Sequence, residues 1–235
     1  MKLGLVSDAH GNPAGLDACL RALTGEGAAR IYFLGDAVGY LPDVTAVLEL
    51  LRSSGAICIR GNHEAMLLGE LAVPEGREPV YRLSDAAAQV DAAGLAWIRS
   101  WPTRLDTDVE GARLLLVHGS PADPLRAYVY PDADLGPFRT LPCDAVFVGH
   151  THRPFVGQAG RVTVVNVGSS GMPRDVGHLA SCAIYDTGTR SAEILRVAFD
   201  APALIAKWGD RIHPAAAACL RRAATAPVVG TMVAA

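Results

Sequence analysis

The sequence predicts an α/β fold, a four-layer α-β-β-α sandwich in which helices cover the outside of two packed mixed sheets. Three strand-loop-helix units occur within the first 70 residues, a pattern typical of a parallel sheet flanked by helices. After Thr103 the chain changes to short apolar runs separated by turn signals, which favours a second, mainly antiparallel or mixed sheet. Hydrophobic residues make up 50% of the 235 residues, enough to fill the core of such a domain.

The first sheet is predicted from apolar runs that each end at a polar loop. Strands are expected in KLGLV (2–6), RIYFLGD (30–36) and AICIRGNHE (56–64). The segments that follow them have the apolar spacing of helices, and they are 12–27, 42–55 and the stretch from Ala65. A Pro/Gly-rich loop at 73–80 precedes a further Ala-rich helix at about 84–98.

The second sheet is predicted from strand-like segments in the rest of the chain. TRLDTD (103–108) and ARLLLVHGS (112–120) should form a hairpin. Further strands are expected in DAVFVGH (144–150), RVTVVNVGS (161–169), ASCAIYD (180–186) and AEILRVAFD (192–200). No low-complexity linker separates the halves, so residues 1–210 are predicted to form one domain. The Ala-rich segment 211–235 is interpreted as a tail that is helical or frayed.

Composition and charge argue against several classes of protein. The net charge is −3 and no run of Lys or Arg could follow a phosphate backbone, so we expect no standing nucleic-acid partner. The five cysteines are scattered and form no CxxC motif, which favours a reducing compartment, the cytoplasm, over a disulfide framework. The first apolar run stops at Asp8, too early for a signal peptide, and no uncharged apolar stretch reaches about 18 residues. We therefore expect no membrane partner, while the oligomeric state stays open, a homo-oligomer included.

Polar residues with metal-binding side chains follow the ends of the predicted strands. They occur in DAH (8–10), GD (35–36), GNHE (61–64), HG (118–119) and GHTH (149–152). Strand ends in open α/β sheets line a common crevice in which ligands bind. Imidazole, carboxylate and amide donors without nearby thiolates suit Mn, Fe, Zn, Co or Ni better than a structural zinc site. We therefore expect a metal site at the strand ends.

The number of donors is sufficient for two metal ions. Seven of these residues fill eight ligand positions when one carboxylate bridges both ions. Two divalent ions balanced by two carboxylates and one hydroxide keep a net positive charge, which attracts phosphate esters. Ions roughly 3.5–4 Å apart deliver hydroxide to phosphorus while polarising the phosphoryl oxygens.

The order of the motifs resembles a known family. SDAHGN, GDAVGY, RGNHE, VHGSP and GHTHRP look like the five signature blocks of the calcineurin-like metallophosphoesterase superfamily, particularly its small bacterial phosphodiesterase-type members. The blocks span residues 7–154, and NVGSSGMPRD followed by ASCAIYD resembles the end of the same small members. The resemblance therefore covers nearly all of the chain before the tail.

The resemblance implies a role for each matched residue. On the family pattern the first metal is held by Asp8, His10, Asp36 and His152, and the second by Asp36, Asn62, His118 and His150. His63 matches the family histidine that does not bind metal, contacts the phosphoryl oxygen and protonates the leaving alkoxide. Asn62, His63 and Arg174 are expected to bind the substrate phosphate. The implied cofactors are two divalent cations, Mn²⁺ in the first place, with Fe, Zn, Ni or Co as alternatives.

Several neighbouring residues have two interpretations. Asn12 could contact substrate phosphate, but its place at the start of a predicted helix favours an N-cap. Arg174 could instead form a surface salt bridge, and Tyr40 could pack in the core or face the substrate. His178 and His213 match no block and are interpreted as ordinary loop histidines.

The resemblance implies a hydrolase of a small phosphate ester that uses a metal-bridging hydroxide as nucleophile. Ser/Thr protein phosphatases and dinucleoside tetraphosphatases of the family carry an arginine in a GDxVDRG pattern, which is GDAVGYLPD in this chain. The chain also lacks a large inserted cap domain. Both features favour a phosphodiesterase. The alternatives are a phosphomonoesterase, a nucleotide or dinucleoside polyphosphate phosphatase at the same site, and a non-catalytic scaffold of this fold.

Overall fold

The computed structural model describes residues 1–234 and contains two β-sheets. The strands are β1 Lys2–Val6, β2 Arg30–Phe33, β3 Ile57–Cys58, β4 Arg104–Val109, β5 Ala112–Val117, β6 Ala145–Val148, β7 Phe155–Ala159, β8 Val162–Asn166, β9 Leu179–Asp186, β10 Ser191–Ala198 and β11 Thr231–Val233. The first sheet has the order β11-β10-β9-β1-β2-β3, and the second has the order β4-β5-β6-β8-β7.

The first three strands form the parallel part of the first sheet, as the strand-loop-helix pattern predicted. Val6 lies opposite Phe33 between β1 and β2, and Phe33 lies opposite Cys58 between β2 and β3. β9 pairs antiparallel with the other side of β1, which makes the sheet mixed. Because β1, β2 and β3 run in one direction, the loops that follow them leave the sheet at the same edge.

The second sheet is also mixed, and one of its strands was not predicted. β4 and β5 form the expected hairpin, β5, β6 and β8 are parallel, and β7 pairs antiparallel with β8. The sequence of β7, FVGQA, places Gly157 and Gln158 in the middle of a five-residue strand, so no apolar run marks it. Pairing with β8 holds this segment as a strand, although its own composition does not indicate one.

The eight α-helices of residues 1–234 are short. They are α1 Pro13–Gly25, α2 Val44–Ser53, α3 Asn62–Leu67, α4 Glu78–Tyr81, α5 Leu83–Ala87, α6 Ala92–Ser100, α7 Ala201–Trp208 and α8 Pro214–Leu220. α1 begins as expected, because the Asn12 side chain accepts a hydrogen bond from the Gly15 amide. The longest helix has 13 residues, so no helix in the described part of the chain could cross a bilayer.

Three packed clusters connect the layers. Leu5 and Leu34 of the first sheet region pack against Leu116 and Phe147 of the second sheet, between the two sheets. The other face of the first sheet is covered by α1, α2 and α6, with the buried Leu16, Val47 and Ile98 among the contributors. The outer face of the second sheet is covered by a loop and the 3₁₀ helix Gly136–Thr140. The predicted fold class is confirmed, with one 3₁₀ helix as the fourth layer.

Two segments differ from the prediction. The single helix expected at about 84–98 is divided into α5 and α6, because Asp91 caps the start of α6 through a hydrogen bond from the Gly94 amide. The tail at 211–235 contains α8, whose Ala217 and Leu220 are buried, and β11, which extends the first sheet beside β10. The strand in the tail was not predicted, because TMV is too short to carry a periodic signal.

Candidate metal centre

The candidate metal-binding side chains meet at one edge of the two sheets. They extend from the loops after β1, β2, β5 and β6 and from the start of α3: Asp8, His10, Asp36, Asn62, His118, His150 and His152. All of them except Asn62 are buried, and Asn62 is half-buried. Buried carboxylates and imidazoles are costly unless they are paired or bind a cation. The structure thus brings together all seven residues that the sequence motifs singled out.

The loops that carry these side chains have an unusual backbone. Positive φ angles of 48° to 66° occur at Asp8, His10, Asp36, Tyr40, His150 and His152. Non-glycine residues rarely adopt this left-handed conformation, which costs of the order of 1–3 kcal/mol per residue. Backbone hydrogen bonds between loops hold them there, as from the His10 amide to the Asp36 carbonyl. Strain concentrated in one set of loops is typical of a functional site.

One group of donor atoms surrounds a point between β1 and β6. The Nε2 atoms of His10 and His152 lie 3.1 Å apart. Asp8 Oδ1 lies 3.2 Å from His152 Nε2 and 3.6 Å from His10 Nε2. These three residues form the first donor group.

A second group lies beside the first and shares a carboxylate with it. His118 Nε2 lies 3.1 Å from Asn62 Oδ1 and 3.1 Å from His150 Nδ1. Asp36 Oδ2 lies 3.3 Å from His118 Nε2 and 3.7 Å from His10 Nε2, so it stands between the two groups. This is the position that a bridging carboxylate must occupy.

The orientation of the imidazole rings fits a cation in each group. His10, His118 and His152 each direct Nδ1 at a backbone carbonyl, of Val38, Leu34 and Met172 respectively, at 2.7–3.0 Å. With the proton on Nδ1, the Nε2 lone pairs of His10 and His152 face each other, which is repulsive unless a cation lies between them. Asp8 Oδ1 is buried without a hydrogen-bond partner, which is consistent with a metal ligand.

The spacing of the donors leads to the same conclusion. Ligand bonds of about 2.0–2.2 Å to nitrogen and oxygen place neighbouring ligands of one ion about 3–3.6 Å apart. The donor separations within both groups, 3.1–3.6 Å, are close to that range. The residues present therefore fit two cations.

Comparison with known proteins identifies the family. A model of the calcineurin-like phosphoesterase superfamily domain matches residues 1–190. The chain belongs to the calcineurin-like phosphoesterase superfamily. The resemblance of the five sequence blocks is thereby confirmed, and this calcineurin-like phosphoesterase is a hydrolase of phosphoesters.

Relatives of this calcineurin-like phosphoesterase include proteins of bacteria and archaea. An uncharacterised protein of Methanocaldococcus jannaschii is 28% identical over 215 residues, which cover 84% of this chain and 88% of that protein. The crystal structure of a metallophosphoesterase from Sphaerobacter thermophilus is 26% identical with a TM-score of 0.79, covering 94% of this chain and 98% of that one. A hypothetical protein of Pyrococcus horikoshii shares the fold, with a TM-score of 0.81 at 20% identity and coverage of 96% and 99%.

His63 lies beside both donor groups of this calcineurin-like phosphoesterase. Its backbone amide donates to Asp36 Oδ1 at 2.9 Å, and a ring nitrogen of His63 lies within 4.8 Å of donor atoms of His10 and Asp36. Its Nδ1 is buried without a hydrogen-bond partner, and the ring stacks on Tyr40 with centroids 5.0 Å apart. Burial lowers the pKa of His63 to about 3, so the ring is neutral at pH 7.

The carboxylates and histidines of the site shift one another's pKa values. Burial raises the pKa of Asp36, but the positive charges of nearby histidines, His118 foremost, outweigh burial and hold that pKa well below its usual range. Burial lowers the pKa of His118, but Asp36 and Asp8 outweigh it and raise that pKa to about 10. The two carboxylates thus favour positive charge in this part of the site, a charge that a bound cation would supply in place of a protonated His118.

Glu64 is a site residue that the sequence analysis missed. It is fully buried, and its carboxylate accepts hydrogen bonds from the amides of Gly61, Asp36 and Ala37 at 2.6–2.8 Å and from the Val38 amide at 3.3 Å. Burial, with Asp36 nearby, raises the pKa of Glu64 to about 7. Its position three residues after Gly61, at the start of a helix, was the available signal, since an acidic residue there closes a capping box.

The remaining candidate residues are Arg174, Tyr40, His178 and His213. The Arg174 amide donates to the His152 carbonyl at 3.2 Å, and within residues 1–234 its guanidinium forms no salt bridge. This contact with the loop of His152 places Arg174 near the site. Burial lowers the pKa of His152 to about 4, and the positive charge of Arg174 adds to that shift. Tyr40 is buried against His10 and His63. His178 is exposed and His213 caps α8, and neither belongs to the donor groups.

Proposed function

We propose that this protein is a phosphodiesterase that depends on two divalent cations. The proposal is carried by one observation, the position of Asp36 Oδ2 between two groups of buried donors. Asp8, His10, Asp36 and His152 would hold the first cation, and Asp36, Asn62, His118 and His150 the second. Bound cations supply Lewis-acid polarisation of the phosphoryl oxygens and lower the pKa of water to near neutrality.

His63 is proposed to act on the leaving oxygen. A ring nitrogen of His63 lies within 4.8 Å of donor atoms of His10 and Asp36, and Asp36 holds the His63 backbone through the bond from the His63 amide. An incoming phosphate anion raises the pKa of a neighbouring imidazole, because it favours the charged form. The protonated ring can then donate to the alkoxide as the ester bond to phosphorus breaks. Asn62 and the unpaired guanidinium of Arg174 are proposed to hold the non-bridging phosphoryl oxygens.

A diester is favoured over a monoester by the surroundings of His63. Tyr40 takes the place of the arginine in the GDxVDRG pattern, and it stacks on His63 with no positive charge. Gly39 lies so close that a Cβ atom there would stand 2.4 Å from His63 Nδ1. A monoester carries up to two negative charges and a diester carries one, so the missing cation disfavours the monoester more strongly.

We propose Mn²⁺ as the native ion, because the second donor group combines carboxylate and amide oxygens with imidazole. Fe, Zn, Ni and Co are the alternatives that the same nitrogen and oxygen donors accept. The cytoplasm is the proposed compartment, since all five cysteines are buried free thiols.

An assay with a generic aryl diester tests the function. The metal-free protein, resupplied with Mn²⁺, Fe²⁺, Zn²⁺, Ni²⁺ or Co²⁺ in turn, is expected to hydrolyse bis(p-nitrophenyl) phosphate faster than p-nitrophenyl phosphate. Asp36→Asn removes the shared carboxylate and is expected to lower kcat strongly, and His63→Ala is expected to lower kcat by a smaller factor, because p-nitrophenolate leaves with little help from a general acid. Faster hydrolysis of the monoester would assign a phosphomonoesterase instead. If the unmodified protein, with every ion tried, hydrolyses neither ester faster than the two variants do, both the phosphodiesterase and the phosphomonoesterase assignments are refuted.

A further inference from the structure

A cleft opens beside the second donor group. It has a volume of about 310 Å³, and Asn62 and His150 of the metal centre form part of its wall. The remaining wall comes from α3, the loop before α4, Tyr81 at the end of α4, and the loop at 125–128. This volume is at the lower end of the range of small-molecule sites, which suits one ring system attached to the phosphate. A group esterified to a phosphate at the metal centre can extend directly into it.

The walls of the cleft are apolar and aromatic. They are formed by Met66, Leu71, Pro74, Leu125, Tyr81 and Tyr128. The Tyr128 ring lies nearly parallel to the His150 ring with centroids 4.0 Å apart, and the centroid of the Tyr130 ring lies 5.7 Å from that of Tyr128. Tyr128 remains 52% exposed, so much of its surface is available to a ligand. Aromatic surfaces of this kind bind planar rings by stacking and edge contacts.

The charge of the cleft also suits an anionic ligand. Its wall contains no carboxylate, and its one permanently charged side chain is Arg126. Arg126 is exposed and forms no salt bridge with any residue in 1–234, so its guanidinium is free to contact a base edge or a phosphate. A cleft for an aliphatic chain would not need this cation.

We propose that the cleft binds the nucleoside part of the substrate, which is then a nucleotide phosphodiester. This inference rests on the proposed phosphodiesterase function and defines its substrate class. The base contacts Tyr81 and Tyr128, the apolar side chains enclose the sugar, and Arg126 contacts a polar edge. The chemistry is the hydrolysis already proposed: water adds to phosphorus, the bond to the leaving oxygen breaks, and a proton passes to that oxygen.

Three p-nitrophenyl phosphodiesters test the proposal, with thymidine 5′-, methyl and n-hexyl groups as the second ester. The Mn²⁺-loaded protein is expected to show a kcat/KM for the thymidine ester roughly tenfold or more above both others, the gain from one base–aromatic contact. Equal values for the three esters would overturn the cleft proposal and leave the phosphodiesterase intact. A value for the hexyl ester equal to that for thymidine would also overturn it. Hydrolysis of none would refute the proposed function itself.

A matched pair of variants locates the effect in the cleft. Ala72 lies in the wall and is exposed, so Ala72→Trp fills the space without disturbing the core. Ala93 is exposed on α6, away from the cleft, and Ala93→Trp is the control. Ala72→Trp is expected to lower the thymidine-to-methyl ratio of kcat/KM roughly tenfold. An unchanged ratio, or the same fall in Ala93→Trp, would overturn the proposal.

A second pair separates stacking from other roles of Tyr128. Tyr128→Ala is expected to lower the same ratio, while Tyr128→Phe is expected to retain it, because Phe keeps the aromatic ring. The ratio is the decisive readout, since a change at His150 would affect both esters alike. Equal ratios in Tyr128→Ala and in the unmodified protein would contradict a base site at this ring.

Discussion

Single hydrogen bonds determine which atom each histidine presents to the centre. His10, His118 and His152 use Nδ1 for backbone carbonyls and turn Nε2 inward. His150 differs, because its Nδ1 is the atom that faces His118 Nε2 at 3.1 Å. His150 and His152 are separated by one residue and both have positive φ, so their rings reach different donor groups from one short turn. The strained backbone of the GHTH turn therefore has a geometric reason.

The first prediction concerns this turn. His150→Ala is expected to weaken the second Mn²⁺ and His152→Ala the first, because each ring belongs to one donor group. Metal content after equilibration at a series of free Mn²⁺ concentrations measures this, with about one ion retained per chain in each variant at intermediate concentration. Equal loss of both ions from either variant would contradict the assignment.

The second prediction concerns Glu64, which holds the Asp36 loop through backbone amides. Glu64→Gln replaces one acceptor oxygen by an NH₂ group that faces these donors. The free energy of unfolding is expected to fall by about 1–3 kcal/mol, and Mn²⁺ affinity is expected to fall with it because Asp36 moves. Glu75→Gln, at an exposed loop position, is the control for both urea unfolding and metal titration. Wild-type affinity in Glu64→Gln would show that the loop is held by other contacts.

At the level of elements, α2 and α7 are joined by one carboxylate. Asp43, at the start of α2, accepts hydrogen bonds from Lys207 Nζ at 2.7 Å and Trp208 Nε1 at 2.9 Å. The Trp208 side chain is buried in the cluster that also contains Tyr40 and Met172. Asp43 thus anchors α7 near the loop after β2.

The third prediction tests this anchor. Asp43→Asn is expected to lower the free energy of unfolding by about 1–2 kcal/mol at pH 7, since both donors keep only a weaker partner. Burial raises the pKa of Asp43, but the bonds from Lys207 and Trp208 outweigh it and lower that pKa below 3.8. The ionised carboxylate therefore stabilises above about pH 3.8, and this contribution disappears as pH falls through the lower folded-state pKa. Urea unfolding of the unmodified protein and of Asp43→Asn from pH 3 to 7 measures this effect. The difference between their free energies of unfolding should become smaller at low pH. A difference that stays constant would contradict the prediction.

Elements whose own residues show a clear apolar pattern were predictable from the sequence. Strands that form mainly by pairing with a neighbouring strand were not. β1, β5, β6 and β8 carry apolar runs because most of their residues are buried on both faces. β7 and β11 lack such runs, and each is ordered by pairing with the edge of an existing sheet. Asn12 was correctly interpreted as a cap from its place before Pro13, but Glu64 was missed because its partners are backbone amides of a distant loop.

At the level of the whole molecule, the C-terminal segment is packed onto the domain. α8 contributes Ala217 and Leu220 to the cluster around Met172, and the Arg222 guanidinium donates to the Arg174 carbonyl. The fully buried Arg196 pairs with Asp175 and donates to the Val229 carbonyl at 3.4 Å, which joins the chain before β11 to the Arg174 loop. Residues after 210 therefore support the loop that carries one candidate substrate contact.

The fourth prediction is that a chain ending at Asp210 is less stable than the full chain. Removing α8 and β11 exposes the buried face around Met172, and the loss of Leu220 alone corresponds to about 1.5–3 kcal/mol. Urea unfolding of both chains measures the difference. Equal stability would show that residues 1–210 form an independent domain to which the remainder adds nothing.

The central claim is that two cations share Asp36. The electron paramagnetic resonance spectrum of the protein loaded with excess Mn²⁺ and then freed of unbound ion tests it most directly. Two Mn²⁺ per chain with the multiline signal of an exchange-coupled pair are expected, because bridged ions lie roughly 3.5–4 Å apart. Asp36→Asn is expected to lose the coupled signal. A single Mn²⁺ per chain, or two ions with uncoupled six-line signals, would contradict the claim.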